Sequence, residues 1–371
     1  MKKLLLLGSV VSACPPLKQG GTERVAYYQA KHLALYGVNM IFIGAKGTIK
    51  NFSEQLQIEN ADVDKIISKI EFIEIGGGTQ FGNAQDKNID DKSLSEASRN
   101  LRLEMVHLAQ VQELMSDRKK DYSLILNNMR GEAILIPLAS ELQKRFINVM
   151  HLNIFEDLAT IFKKYNTDII TIATHQKEAY PQLNHLATIA NPVATSSFTF
   201  NKNPKNYALM LSTIGEHKNQ KDAILACQKA EIPLIISGKV RDQKYFENEI
   251  KPYIDNGLIQ FYGEMDFKKK FQVYASARVF LFPIIWQEPF GLVVIEALAS
   301  GTPVIAYPHG GPVDIITNGK NGFLVNNVEE MADKIKMIDS IDRQFCRDDV
   351  VLRFDEKIIG EQYSRILQRF L

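Results

Sequence analysis

Two glutamates in the C-terminal third of the chain have a spacing that could grip a ligand rich in hydroxyl groups. Glu288 and Glu296 stand eight residues apart in a segment that reads as strand, loop and helix. A strand is predicted to end at Pro283 and a helix to begin near Pro289, a residue suited to the first helical turn. On one helix this spacing would leave the carboxylates on a similar side, roughly 12 Å apart. Such a span suits two hydroxyl-bearing units joined by a diphosphate.

The start of the same predicted helix offers an anion site. The backbone N–H groups of Phe290, Gly291 and Leu292 would lie at the helix N-terminus, where anions bind. Glu296 lies in an otherwise apolar run, so its carboxylate is expected to be buried or partnered. The bland alternative is that Glu288 is only an acid at a helix start and Glu296 a solvated helical residue.

Strand-like and helix-like segments alternate along the whole chain. This alternation predicts the α/β class, with two doubly wound, Rossmann-like domains. Ligands bind beyond the carboxyl ends of parallel strands, so two such domains would face each other across a cleft. The polar stretch 44–92 is expected to form loops around that cleft, apart from one strand within it. The predicted strands are residues 3–11, 38–43, 70–75, 122–126, 147–152, 168–173, 207–212, 232–236, 258–261, 279–283 and 303–306.

The N-terminal segment has two interpretations. Residues 1–14 contain two lysines, an apolar run and small residues before Cys14, which is typical of a bacterial lipoprotein signal. They also suit the first buried strand of a parallel sheet. Beyond a turn-rich loop, Thr22 is a candidate N-cap, and apolar residues keep helical spacing from Glu23 until Gly37. Because a second strand follows, the strand is favoured.

Composition excludes several classes of protein. The 371 residues suggest two domains, and 44 Lys+Arg against 43 Asp+Glu leave no basic excess for nucleic-acid binding. No apolar run reaches about 18 residues, so no membrane-spanning helix is predicted. Cys14, Cys227 and Cys346 are widely spaced, which fits a reduced compartment and excludes a disulfide framework or a cysteine-built zinc site.

The glutamate pair, followed by a Gly-x-Pro-Val-Ile strand at 301–305, resembles the family 4 retaining glycosyltransferases of the GT-B fold. Further segments resemble the glycine loop, the interdomain turn, the loop lysine and the C-terminal signature of that family. These segments are residues 20–23, 191–193, 218–219, and 310–314 with 321–325.

The resemblance implies an enzyme that moves a sugar, with a hexose expected, from a nucleotide diphosphate-sugar to a saccharide, lipid-linked or small-molecule acceptor. It implies retention at the anomeric carbon and neither a metal ion nor a cofactor, since the nucleotide-sugar is a substrate. Residues 1–192 would bind the acceptor and 193–354 the nucleotide-sugar, while the helix 355–371 would cross back to the N-terminal domain. Polysaccharide or glycoconjugate synthesis in the cytoplasm, or at the inner face of the membrane, would be its setting.

The resemblance also implies roles for individual residues. Glu288 would hold hydroxyl groups of the donor sugar, and Glu296 would hold the ribose of the nucleotide. Lys218 would neutralise the diphosphate, and Gly20 and Gly21 would let the backbone approach it closely. A cation matters there because negative charge grows on the leaving nucleoside diphosphate as its bond to the sugar breaks.

Three further residues have weaker signals. Tyr262 and Gly263 follow a strand and would border the base through backbone contacts. His151 ends a strand and resembles the family histidine that faces the donor sugar, where it would orient or stabilise the hydroxymethyl side without transferring a proton. Without the resemblance, a lone histidine is more often a satisfied structural residue.

One position departs from the family pattern. Thr213 stands where the family usually carries an arginine, five residues before Lys218. A threonine donates one hydrogen bond but brings no charge, so Lys239 or Arg241 would have to supply the missing cation.

The short basic runs 118–120 and 268–270 are interpreted as solvated faces. The first adjoins an amphipathic helix and would contact an anionic membrane if the acceptor is lipid-linked. Three alternatives stay open: a nucleotide-sugar 2-epimerase of the same fold, a lipidated solute-binding protein, and an inactive family member. The sequence leaves the oligomeric state open.

Overall fold

The computed structural model describes residues 3–16, 20–76 and 96–371, without the side chains of residues 96–99, 267 and 268. These residues form two compact units. The first contains the residues up to Ile172 together with Gln176–Ile189 and Ile359–Leu371. The second contains Ala173–His175 and Ala190–Ile358.

The first unit is built on a parallel sheet of seven strands in the order β3-β2-β1-β4-β5-β6-β7. These strands are β1 (Lys3–Ser9), β2 (Met40–Gly44), β3 (Ile70–Glu74), β4 (Tyr122–Asn127), β5 (Arg145–Met150), β6 (Asp168–Thr171) and β7 (His185–Thr188). The described helices up to residue 179 are α1 (Gly21–Leu35), α2 (Thr48–Ile58), α3 (Val63–Ile67), α4 (Glu96–Asp117), α5 (Glu132–Glu141), α6 (Glu156–Tyr165) and α7 (Thr174–Ala179).

The second unit repeats this winding on six parallel strands in the order β10-β9-β8-β11-β12-β13. The strands are β8 (Ala208–Leu211), β9 (Leu234–Ser237), β10 (Ile259–Phe261), β11 (Val279–Phe282), β12 (Val304–Ala306) and β13 (Gly322–Leu324). The later helices are α8 (Gln220–Ala230), α9 (Gln243–Tyr245), α10 (Phe267–Ser276), α11 (Leu292–Ala299), α12 (Pro312–Ile315), α13 (Val328–Lys336), α14 (Arg343–Phe354) and α15 (Glu356–Leu367). In both sheets the strand order reverses beside the first strand, which is the Rossmann-like arrangement that was predicted.

Strand β1 lies in the interior of the first sheet, between β2 and β4. Leu5 and Leu7 join a core cluster with Leu108 of α4, while Leu4 and Leu6 point to the opposite face and are also fully buried. Burial on both faces explains the continuous apolar run and confirms that this segment is a strand. The helix after it begins at Gly21, with Gly20 and not Thr22 at the N-cap position.

All eleven predicted strands are present, with ends that differ by a few residues. The prediction missed β7 and β13, because both are short and one begins with a glycine. The expectation of loops over 44–92 was wrong for residues 48–58 and 63–67, which form α2 and α3. Within α2, Phe52 and Leu56 are one turn apart and fully buried, a helical spacing that the polar composition concealed. Residues 77–92 lie outside the described part of the chain.

The chain passes from the first unit to the second between Ile189 and Ala190, and it returns to the first unit between Ile358 and Ile359. In the first unit Gly360 of α15 packs against the side chain of His32 in α1, where a Cβ atom on Gly360 would lie 2.4 Å from the Cβ atom of His32. The guanidinium group of Arg145 lies 3.6 Å from the ring centre of Phe370. The C-terminal residues therefore complete the core of the first unit.

Replacing Leu6 by Ala tests the position of β1 in the sheet. A fully buried leucine leaves a cavity when truncated, so the free energy of unfolding should fall by about 2–5 kcal/mol. Urea unfolding followed by circular dichroism measures this change. The control is Ile58→Ala at a side chain that is 73% exposed, expected within about 0.5 kcal/mol of the parent. Equal effects of the two substitutions would contradict the interior strand.

Candidate functional site

The main chain of Glu288 is fixed by the loop that follows β12. Its N–H donates to the carbonyl of His309 at 3.3 Å, and its carbonyl accepts from the N–H of Gly311 at 2.8 Å. A Cβ atom at Gly310, where φ is +77°, would lie 2.2 Å from the Glu288 carbonyl oxygen. A Cβ atom at Gly311 would lie 2.1 Å from the carbonyl oxygen of Phe290. The Gly-Gly pair of the C-terminal signature is thus required for this close backbone approach.

The side chain of Glu288 binds two donors through one oxygen. Lys218 Nζ lies 2.6 Å from Glu288 Oε2, and the indole N–H of Trp286 donates to the same oxygen at 3.0 Å. The Lys218 ammonium also lies 5.0 Å from the centre of the Trp286 ring, within the range of a cation–π contact. The side chains of Lys218 and Glu288 are only 14% and 15% exposed, so this ion pair is largely shielded from water.

Lys218 reaches Glu288 because of the strand order. It ends a 3-10 turn (Glu216–Lys218) after β8, and Glu288 follows β11, the neighbour of β8 in the sheet. The strand order reverses between these two strands, which is where open α/β sheets bind ligands. Two residues far apart in sequence therefore meet at the expected edge.

Helix α11 begins later than the sequence predicted. It starts at Leu292 with Gly291 as N-cap in the left-handed region at φ +100°, so Pro289 is not in its first turn. Glu288 precedes the helix, and the predicted distance between two carboxylates on one helix does not apply. Of the three N–H groups predicted at the helix N-terminus, those of Gly291 and Leu292 lie there, whereas Phe290 precedes the cap.

Glu296 lies within α11 and is partnered, as its apolar surroundings predict. Its Oε2 accepts from the hydroxyl of Tyr274 at 2.9 Å and lies 2.5 Å from Lys270 Nζ. Both partners come from α10 and stand one turn apart on it. The interpretation of 268–270 as a solvated run is therefore wrong for Lys270, whose side chain is 23% exposed. Sequence reasoning also missed Tyr274 and gave Trp286 no contact with Glu288.

Tyr262 and Gly263 follow β10. The Gly263 carbonyl accepts from the N–H of Gly238 at 2.8 Å and from the hydroxyl of Ser237 at 2.6 Å, so it is occupied within the protein. The Tyr262 ring is 50% exposed, and Lys269 Nζ lies 5.2 Å from its centre. Contact between a nucleotide base and the other backbone groups of Tyr262 and Gly263 stays a prediction.

Thr213 lies beside the chain segment that carries both candidate cations. The N–H of the next residue, Ile214, donates to the carbonyl of Lys239 at 2.9 Å, and the N–H of Arg241 donates to the carbonyl of Ile214 at 3.1 Å. Both Lys239 and Arg241 are exposed. The segment that carries Lys239 and Arg241 therefore lies beside the position of the missing arginine, although the two segments are far apart in sequence.

His151 lines a cavity of about 270 Å³ in the first unit, beyond the carboxyl ends of β1, β4 and β5. Its Nε2 lies 2.9 Å from Asn128 Oδ1, and Asn128 Nδ2 donates to Gln29 at 2.8 Å. Because the Asn128 oxygen is the acceptor in this pattern, the ring carries its proton on Nε2. Burial lowers the pKa of His151 to about 4, so the imidazole is neutral near pH 7.

Acidic groups line the same cavity. Burial raises the pKa of Glu23, whose Oε1 accepts from the Ser9 hydroxyl at 3.1 Å, and burial raises the pKa of Glu132. Arg130 pairs with Glu104 at 3.0 Å on the cavity wall. Gly20 and Gly21 precede Glu23 at the start of α1, where a Cβ atom on Gly20 would lie 2.7 Å from Pro16.

The described residues contain no group of three or more His, Cys, Asp or Glu side chains arranged to hold a metal ion. Across the same residues, no helix is long and apolar enough to cross a bilayer. Cys14, Cys227 and Cys346 are all buried and free.

The depressed pKa of His151 predicts a pH-dependent stability. In the unfolded chain the imidazole of His151 has a pKa near 6.5. Between pH 6.5 and about 4, His151 is therefore protonated in the unfolded chain but neutral in the folded one. This residue should therefore lower the free energy of unfolding as pH falls, by up to about 3 kcal/mol. Urea unfolding from pH 4.5 to 7.5 should show a shallower pH dependence for His151→Gln than for the parent. NMR detection of His151 protonation near pH 6.5 would contradict the burial effect.

Parts of this chain are similar in sequence to known proteins. Residues 194–342 match the family model described as glycosyl transferases group 1. A sucrose synthase of Melioribacter roseus is 29% identical over 203 residues, which cover 48% of this chain and 25% of that protein. A probable sucrose-phosphate synthase of Thermosipho melanesiensis is 26% identical over 235 residues, which cover 56% of this chain and 52% of that protein. The alignments thus span about half or less of these relatives' lengths.

Solved structures match along the whole chain. AviGT4, a glycosyltransferase involved in avilamycin A biosynthesis, aligns with a TM-score of 0.70 at 16% identity, covering 100% of this chain and 98% of that one. Anabaena Alr3699/HepE, in complex with UDP and glucose, aligns with a TM-score of 0.68 at 17% identity, covering 99% and 100%. The predicted fold is confirmed: the chain has the GT-B fold of these glycosyltransferases, and its residues 194–342 match the model of glycosyl transferases group 1.

Proposed function

We propose that this protein is a retaining glycosyltransferase that moves a hexose from a nucleotide diphosphate-sugar to a hydroxyl-bearing acceptor. The observation that carries this proposal is the shielded Lys218–Glu288 pair beyond the carboxyl ends of β8 and β11. It supplies one cation and one carboxylate at the edge of a sheet where ligands bind, inside the segment that matches the group 1 model.

In this proposal the bound donor replaces the contact between Lys218 and Glu288 with its own contacts to both side chains. Without ligand, Glu288 neutralises Lys218 and keeps a partly buried ammonium group from being unpaired. A bound diphosphate takes over Lys218, which frees Glu288 to accept hydrogen bonds from sugar hydroxyl groups. The Trp286 N–H continues to hold the carboxylate during this exchange.

Stabilisation of the leaving diphosphate is the main catalytic task. Lys218 contributes a positive charge there, and Lys239 or Arg241 adds the charge that Thr213 lacks. Such fixed cations stabilise charge that develops in the transition state, and in this proposal they act without a metal ion. The neutral His151 orients the hydroxymethyl side of the donor sugar and transfers no proton.

Uridine diphosphate-hexoses are the first donors to test, because a structural neighbour with the same fold was solved with UDP and glucose. A thermal-shift screen of UDP, GDP and ADP, with their glucose and mannose derivatives, compares the nucleotides directly. A ligand that binds only the folded state raises the melting temperature. The acceptor is sought afterwards by the release of nucleoside diphosphate.

Replacing Glu288 by Gln tests the role of its carboxylate. The amide oxygen can still accept from Trp286 and Lys218, but the negative charge is lost, so kcat should fall by at least about 100-fold. Transfer of radiolabelled sugar measures the rate, and circular dichroism checks folding. The matched control is Glu329→Gln in the exposed pair with Lys229, which should retain the parent rate.

Full turnover by Glu288→Gln would refute the assigned role of this residue. An epimerised nucleotide-sugar formed without any acceptor would instead favour the isomerase alternative.

Trp286 is the single tryptophan of the chain and reports on the same ion pair. Removal of the Lys218 ammonium from the face of its ring should change the fluorescence when UDP or another nucleoside diphosphate binds. The signal should saturate with ligand and disappear in Trp286→Phe. A saturable thermal shift without any fluorescence change would show that the nucleotide binds away from Lys218.

A further inference from the structure

We propose that Lys270 and Tyr274 of α10 are positioning residues that orient the Glu296 carboxylate toward the ribose of the donor nucleotide. The inference rests on the proposed function, since it assumes a nucleotide-sugar donor. It adds two residues that the sequence pattern did not indicate.

The first support is convergence on a single oxygen. Lys270 Nζ and the Tyr274 hydroxyl both reach Oε2 of Glu296, at 2.5 and 2.9 Å. Among the described residues, no hydrogen bond to Oε1 is present. The carboxylate is thus held from one side by two donors, while its second oxygen keeps its lone pairs for the hydroxyl groups of a ligand.

The second support is the energetics of the surroundings. Tyr274 is fully buried, and the Glu296 side chain is 14% exposed among apolar residues of α11. Charges removed from water need compensation, and a buried ion pair seldom stabilises a fold more than apolar packing would. Burial and the nearby Glu296 carboxylate raise the pKa of Tyr274, so its hydroxyl stays protonated and continues to donate.

The third support is the rigidity of the element that carries both donors. The Asp266 side chain caps α10 by accepting from the N–H of Lys269 at 2.8 Å. The Tyr274 carbonyl accepts from the Thr302 hydroxyl at 2.6 Å, which ties the helix to the chain before β12. Lys269 lies over the ring of Tyr262. One capped helix therefore contacts both residues expected at the nucleoside end of the donor.

A direct test compares ligands that differ only in the ribose hydroxyl groups. Isothermal titration calorimetry measures the Kd of UDP, 2′,3′-dideoxy-UDP and inorganic pyrophosphate for the full chain. Lys270→Met should weaken UDP by about tenfold, the effect of losing one charged hydrogen-bond partner, and leave the other two ligands unchanged. With the transferase donor, KM should rise while kcat changes by less than about twofold.

Matched variants separate positioning from a structural role. Tyr274→Phe removes only the hydroxyl group and should show the same ligand pattern, with a smaller loss, even if Lys270→Met folds poorly. Lys270→Arg should restore part of the UDP affinity. Lys229→Met, in an exposed ion pair of the same unit, should bind all three ligands like the parent.

Each outcome decides the matter. If Lys270→Met lost equal affinity for UDP and dideoxy-UDP, the positioning role of Lys270 would be overturned. If its affinity for pyrophosphate fell equally as well, Lys270 would instead be a phosphate ligand. Unchanged UDP affinity in both Lys270→Met and Tyr274→Phe would also overturn it, with the proposed function left standing. Parent protein that binds none of UDP, GDP and ADP would overturn the proposed function together with this inference.

Discussion

The backbone contact between two loops of the second unit sets the position of Glu288. The segment after β11 and the segment after β12 run side by side, and Glu288 is bonded at both its N–H and its carbonyl to the Gly310 loop. Side chains at Gly310 or Gly311 would occupy the space of this contact. The position of the acidic group is therefore set by main-chain geometry. Lys218, Trp286 and the start of α11 are arranged around that fixed point.

Two partly buried ion pairs lie in this unit. Lys218 is paired with Glu288, and Lys270 with Glu296, at side chains shielded from most of the solvent. Under the proposed function, a donor that enters must offer these groups better partners than they offer each other. Such exchange favours ligands with both anionic and hydroxyl groups, because an uncharged sugar would leave Lys218 attached to Glu288. Under the proposed function, this exchange would select against ligands that lack the diphosphate.

Much of the fold could be predicted because a parallel strand buried on both faces reads as a continuous apolar run, as in β1 and β11. The short edge segments β7 and β13 lack such runs. The candidate site residues could be named from their types and spacing, but the geometry of Glu288 could not be predicted, since the left-handed conformation of Gly291 delays the start of the helix by several residues. The pairing of Lys270 with Glu296 could not be predicted, because the basic run 268–270 does not show which of its residues faces an acid on the neighbouring helix. Contacts between elements distant in sequence, such as Tyr274 with Glu296, have no local signal.

The chain closes its first unit with its last described residues. Ile359–Leu371 leave the second unit and pack onto α1 and β5. During synthesis, the N-terminal sheet therefore lacks this part of its packing until the whole second unit has been translated. Domains usually fold in the order in which they emerge from the ribosome. Here the unit that begins first is finished last, which couples the maturation of the two halves.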